Sequence, residues 1–570
     1  MLGALALCVL CSLYCILRPP ILFYEDAVHY LSLGQSLAQG RGFRSDTLRF
    51  PDLMQPPLYP ALIALLMRLG LSVVTAAVAL CVTSQALTVL ALGWLSRLCF
   101  GARSVGLTLL IAALYPNLAF GAALVLEPLF LLWLALAVGL FVLSMRSSDD
   151  ARRSILAAAG AGLALGLALL TRPEAVITTA VLVLLGLLWP APLGRRLRAL
   201  GALGLLLALV LLPYGLWLKA QLGVFELIPK VRYNTALADI AGRLRWEPGE
   251  ESLGGREQRV FFTLMPDSAT FVMNHTFEHP GSDPGAYFPL QARGVGQEVA
   301  GRRLVTLLRD AREVLTDGAL RTLSFHPLAL LLMGLALVAA LRGRAGPVAP
   351  QAAGAAATIV ARWRSPEALL TFVLLLLCGL HLGPAVLSGV DYTSRYLAAS
   401  LLFSVPLVSR GTAPIGDWLR ARGAGKGACV LWALVLLGYG LGTARVARSS
   451  AGGPPGWARA RAIEGAVAQH IPRGAWVLAE HGRYAFLNGG VAIQLPYLRD
   501  PPELQAFLAR HRVTHALIDS RTLQRNPSRA ARALRDPANW PPSFRLLSAL
   551  SFAGDQAHPV YLVEVRDPGR

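Results

Sequence analysis

Charge is what this chain has least of. Only 15% of its 570 residues are Asp, Glu, Lys or Arg, 55% are hydrophobic and the mean hydropathy is +0.53. That balance excludes an ordinary soluble globule and describes a polytopic membrane protein. Cysteine is scarce too. The seven cysteines, at 8, 11, 15, 81, 99, 378 and 429, lie within or at the edge of apolar segments. The polar regions therefore need no disulfide framework, and no Cys-based metal spacing exists. The first apolar run lacks a basic n-region and a small-x-small cleavage site, so it is expected to stay as a helix, with Ile21, Leu22 and Phe23 extending it past Pro19-Pro20. No internal repeat or long low-complexity tract is present, although Ala345 to Ala357 reads as a Gly/Ala/Pro linker. The formal net charge is +20, yet basic residues are not interleaved with aromatics on one soluble face, which nucleic-acid binding would require.

Long apolar runs, by contrast, are abundant. Candidates near the ~20 residues needed to span a bilayer lie at about 2–17, 71–96, 104–120, 123–145, 155–170, 174–190, 198–218, 326–341, 367–388, 396–409 and 428–445. The expected fold is mainly α. About eleven transmembrane helices make a membrane domain over 1–450, with external loops at 19–70 and 219–325, and a small α/β domain follows over 451–570. Short connections set the orientation. If the amino terminus is cytoplasmic, Arg97 and Arg103, Arg146, Arg152 and Arg153, Arg195, Arg196 and Arg198, Arg342, Arg344, Arg362 and Arg364, and Arg410, Arg420, Arg422 and Lys426 all fall on that side. The positive charge is then mostly an anchor in the cell membrane, and the long loop and C-terminal domain lie outside the cytoplasm.

In the C-terminal region Ala475 to Ala479, Thr514 to Ile518 and Pro559 to Val565 read as strands, and Pro501 to His511 as a helix. In the long loop, Leu304, Leu307, Leu308, Ala311 and Leu315 share one helical face while Arg302, Arg303, Arg309 and Arg312 take the rest. Such a helix lies on the membrane or packs on the loop's own core.

With sides assigned, ionisable residues from separate stretches gather on the outer face. Glu25 and Asp26 follow the first helix, Glu127 opens the fourth, Arg172 and Glu174 occupy the turn between the fifth and sixth, and Asp391 and Arg395 lie between the ninth and tenth. Charges at this depth are costly unless they face one another or a cavity, which implies a polar pocket. An ion pair or a snorkelling anchor explains any one of them taken singly. A sugar on a polyprenyl phosphate presents an anionic phosphodiester there: arginine matches its oxygens, and a carboxylate can take the proton from an acceptor hydroxyl.

Asp26-x-x-x-Tyr30, continuing through Leu33, Gly34, Leu37, Ala38, Gly40, Gly42 and Phe43 to Pro56-Pro57-Leu58-Tyr59-Pro60, resembles the first external loop of C-type glycosyltransferases. The similarity is to the bacterial branch related to protein O-mannosyltransferases and lipid A aminoarabinose transferases. Glu127-Pro128, Thr171-Arg172-Pro173-Glu174 and Ser394-Arg395-Tyr396 resemble recurrent patches of that family, and the likeness covers roughly 20 to 410. It implies an inverting transfer from a polyprenyl-phosphate sugar to a lipid, glycan or protein outside the cytoplasm. Asp26 matches the catalytic carboxylate of the first loop, as general base or acceptor-orienting group, and Glu25 either tunes it or caps a helix. Arg172 and Arg395 are expected at the donor phosphate, with Tyr30, Gln55, Tyr59, Glu127, Asp391 and Tyr396 around the substrate. Tyr30 and Tyr59 also fit as interfacial anchors. Gln55 departs from the aminoarabinose relatives, which carry lysine there, and this shifts weight to the arginines or to Lys230 and Arg232.

Two other patterns compete. His275-Thr276-Phe277-Glu278-His279 satisfies a zinc-peptidase motif that works only on a helix, but Pro280-Gly281 follows at once. Asn274-His275-Thr276 is a glycosylation sequon, meaningful only in a eukaryotic secretory host. No metal and no cofactor is expected. A transporter or flippase is the alternative class, although its charges would sit at the midplane and no inverted repeat is visible. A structural scaffold for envelope assembly is a third reading.

Overall fold

The computed structural model describes residues 2–17, 25–44, 55–114, 126–147, 150–223, 225, 227, 270–272, 276–278, 327–342, 366–388, 394–451, 455–479, 482–493, 501–523, 533–552 and 558–566. A helix stands at each of the eleven apolar stretches. They are α1 Leu2–Leu17, α4 Val73–Phe100, α5 Val105–Leu114, α6 Glu127–Arg146, α7 Ala151–Leu169, α8 Ala175–Leu188, α9 Leu193–Leu222, α10 Pro327–Arg342, α11 Pro366–Ser388, α12 Ser394–Ala421 and α13 Gly425–Ala451. Among the described residues, α4, α6, α7 and α9 are long and apolar enough to cross a membrane. Shorter apolar stretches are found in α1, α5, α8, α10, α11 and α13.

Two helices form inside the stretch expected as the first loop, α2 Glu25–Ala38 and α3 Leu58–Arg68. They pack as a hairpin because Gly34 lets them approach: a Cβ there would lie 2.7 Å from Ile63 Cγ2 and 3.2 Å from the Pro60 carbonyl oxygen. Arg68 closes the hairpin by donating to the Leu37 and Ala38 carbonyls at 3.2 and 3.5 Å, which satisfies the end of α2. Ala27, Val28, Tyr30 and Leu31 of α2 join Tyr59 and Ile63 of α3, Ala76, Ala77 and Cys81 of α4, and Leu126 before and Leu129 within α6 in one apolar cluster. A larger cluster binds α1, α4 to α12 and α13.

After α13 comes the small α/β domain, with α14 Pro455–His470, α15 Gly482–Leu487 and α16 Pro501–Arg510 around a five-stranded sheet. Its strands are β3 Trp476–Ala479, β4 Val491–Ile493, β5 His515–Asp519, β6 Phe544–Leu550 and β7 Val560–Val565, in the order β4-β3-β5-β7-β6. β4, β3 and β5 run parallel, while β7 and β6 are antiparallel. The three expected strands and the expected helix are all present. β4 and β6 are additional: β4 has only three residues, too few to show a period.

In the long loop, β1 Thr270–Val272 pairs antiparallel with β2 Thr276–Glu278. Extended backbone through Thr276–Glu278 differs from the helical turn that a His-x-x-Glu-His zinc site needs, and His275 and His279 themselves lie outside the described residues. The amphipathic 302–315 segment, the 345–357 linker, and Asn274, Lys230 and Arg232 lie outside the described residues.

Candidate active site

Three helix N-termini converge at one end of the bundle, and each carries acid. Glu127 opens α6, where Pro128 pre-sets the first turn and the helix dipole favours the carboxylate. Glu174 occupies the residue before α8. Glu25 and Asp26 form the first turn of α2; their side chains lie outside the described residues. The turn joining α7 to α8 brings these helices together. Arg172 N donates to the Ala168 carbonyl at 2.7 Å, and Leu58 N, at the start of α3, donates to the Leu170 carbonyl at 3.0 Å. The chain before α3 is thus tied directly to the turn that presents Arg172.

Arg172 bridges the two carboxylates. Its Nη1 donates to Glu127 Oε1 at 2.7 Å, while Nε and Nη2 form a fork on Glu174 Oε2 and Oε1 at 3.2 and 2.7 Å. Side-chain exposure is 11% for Arg172, 6% for Glu127 and 25% for Glu174, so the Glu127 pair is the better shielded from water. The guanidinium also lies 5.8 Å from the Phe130 ring centroid. One guanidinium is thus shared between two carboxylates. The three helix N-termini, each equivalent to about half a positive charge, add to the positive field there.

Beside the triad, Tyr30 Oη donates to Gln55 Oε1 at 3.3 Å, and the Tyr30 ring meets Tyr59 edge-on at a centroid distance of 5.8 Å. Tyr59 is fully buried and its hydroxyl lies 3.4 Å from Cys81 Sγ. Tyr59, expected at the substrate, packs behind Tyr30. Glu127 lies within electrostatic reach of both Tyr59 and Cys81, which joins the aromatic group to the triad. Phe43, just beyond α2, meets Trp217 of α9 edge-on at 5.9 Å and fixes the far end of that helix.

Of the site residues read from the sequence, the structure brings together Tyr30, Gln55, Tyr59, Glu127 and Arg172. Arg395 and Tyr396 stand in the first turn of α12 with side chains outside the described residues, and Asp391 lies wholly outside them. One group was missed. His381 of α11 is buried, its Nε2 lies 2.9 Å from Thr178 Oγ1 of α8, and it interacts electrostatically with Glu174 and Arg172. A lone ionisable residue within an apolar run is the signal that could have found it.

No family model and no curated protein matches the sequence. Solved structures do match. An oligosaccharyltransferase of Archaeoglobus fulgidus tethered to an acceptor peptide is similar at a TM-score of 0.54 with 12% identity, over 92% of this chain and 69% of that chain. The archaeal oligosaccharyltransferase AglB in complex with an inhibitory peptide and a dolichol-phosphate gives the same TM-score and identity over 91% of this chain. Arabinofuranosyltransferase AftD from Mycobacteria is similar at 0.50 with 14% identity, over 100% of this chain and 40% of that chain. ArnT from Cupriavidus metallidurans bound to undecaprenyl phosphate superposes at only 0.44, too weak to bear on the fold. The fold of this chain is that of the C-type integral-membrane glycosyltransferases.

Proposed function

We propose that this protein is a membrane glycosyltransferase that moves a sugar from a polyprenyl-phosphate donor to an acceptor outside the cytoplasm. The observation that carries the reading is the Glu127–Arg172–Glu174 triad, set beside the helix that begins with Glu25 and Asp26, on a C-type glycosyltransferase fold. The complex of AglB with a dolichol-phosphate supports a lipid-phosphate donor by likeness of fold.

In the proposed step Asp26 takes the proton of the acceptor hydroxyl as its oxygen attacks the anomeric carbon. The bond from that carbon to the phosphate oxygen breaks, inverting the centre, and polyprenyl phosphate leaves. Glu25 tunes Asp26 or caps α2. Arg172 and Arg395 hold the donor phosphate, with the helix N-termini adding to the positive field. Tyr30, Gln55, Glu127, Asp391 and Tyr396 line the sugar and acceptor. Neither metal nor organic cofactor enters the step. The amino terminus is cytoplasmic, and the site faces outward from the cell membrane. A transporter is not favoured, since its solved counterparts in fold are glycosyltransferases and the charges gather at one end.

Membranes containing the protein, given a panel of radiolabelled polyprenyl-phosphate sugars and envelope extract, are expected to transfer label. Asp26→Asn at equal abundance is expected to lose that transfer. A wild type inert toward every donor overturns the reading.

A further inference from the structure

The C-terminal domain does not stand apart from the site. Its short helix α15 lies against α2, and Phe486, half-buried, packs on the cluster made by Ala27, Val28, Tyr30 and Leu31 with Tyr59 and Ile63. The opposite side of α15 is locked into the domain. Tyr484 and Ala485 are buried in a core with Ile463, Val477 and Leu517. Asn488, just after α15, donates to the Ile471 and Pro472 carbonyls at 2.8 and 3.2 Å, and Gly490 N donates to the Ala485 carbonyl at 2.8 Å. A Cβ on Gly490 would lie 2.5 Å from the Ala475 carbonyl oxygen, so the turn into β4 is tight. Phe486 is therefore presented from a fixed platform.

We infer that the C-terminal domain is a working part of the site: through Phe486 it seats α2 and thereby holds the turn that carries Asp26. Helix α2 begins and ends in different environments. Its last residues are closed by Arg68, and the segment beyond is fixed by Phe43 on Trp217, whereas its N-terminal half rests on α3, α4 and α15. Phe486 is a positioning residue, since it acts through α2 and touches no reacting group. The consequence for turnover rests on the glycosyltransferase reading; the docking itself does not.

The test is hydrogen exchange of the full-length protein in detergent, with transfer kinetics measured on the same samples. Phe486→Ala is expected to raise exchange in the 27–31 amides while exchange in α16 and α6 stays as in wild type, and Phe486→Leu is expected to restore protection. Where transfer is measurable, Phe486→Ala lowers kcat by about tenfold or more, as misplaced catalytic groups do, and moves KM much less. Unchanged exchange in 27–31 overturns the docking. Raised exchange with full kcat, in a protein that Asp26→Asn inactivates, overturns the positioning role. A wild type with no transfer but with the exchange pattern above leaves docking supported and sinks only the glycosyltransferase reading.

Discussion

Arginine does different work at the two ends of this helical bundle. At one end Arg172 is half-buried, spans two carboxylates and lies over an aromatic ring. At the other, Arg195 donates to the Met145 carbonyl at 3.2 Å, Arg198 to the Gly194 carbonyl at 3.2 Å, and Arg146 and Arg196 to the Leu98 and Leu187 carbonyls. Those arginines meet backbone carbonyls, several of them at or near helix ends, and at the same end Arg410 and Arg420 each pair with one acid, Glu367 at 2.6 Å and Asp417 at 2.5 Å. The Arg172 guanidinium is shielded and fixed from several directions, where electrostatic effects are larger.

The largest expected effect breaks the shielded end. Arg172→Ala removes the guanidinium that bridges Glu127 and Glu174, and losing one partner of a shielded pair such as Arg172–Glu127 costs about 3 to 5 kcal/mol. Thermal unfolding in detergent should show a clear loss of stability, together with loss of transfer. Next comes Gly34→Ala, whose new Cβ would meet Ile63 at 2.7 Å. Overpacking of this kind costs about 1 to 3 kcal/mol, and it should depress activity more than its stability change implies, because it displaces α2. Arg198→Ala, at the anchoring end, should change stability by under about 1 kcal/mol and leave transfer intact.

The smallest effect lies in the C-terminal domain. Burial lowers the pKa of His515 below its usual 6.5, an effect opposed by Glu564 on the neighbouring strand. A histidine held neutral in the fold contributes stability above about pH 6.5 that is lost as pH falls toward its folded value. Comparing unfolding of wild type and His515→Gln between neutral and mildly acid pH should show a shallower acid loss in the variant.

Much of the helical scaffold was legible, because an apolar run near membrane length admits few other structures. Strands β3, β5 and β7 were legible for a similar reason, being short apolar runs between turn signals. The helices α2 and α3 were not, since a stretch expected as an external loop carries no length signal and Gly34 reads as a breaker until Ile63 is seen against it. The candidate site was legible in residue type but not in pairing. Glu127 and Arg172 are 45 positions apart, and Thr178 and His381 are 203. Only the folded hairpin of α6 and α7 and the packing of α8 on α11 bring them together. That Phe486 reaches α2 had no signal in the sequence at all.

The most direct test of the account sets the two ends against each other in one assay. Sugar transfer from polyprenyl-phosphate donors would be measured for wild type, Asp26→Asn and Arg195→Ala, each normalised to folded protein. The account predicts no transfer for Asp26→Asn and near wild-type transfer for Arg195→Ala. Full transfer by Asp26→Asn, or its loss on replacing Arg195 alone, would contradict it.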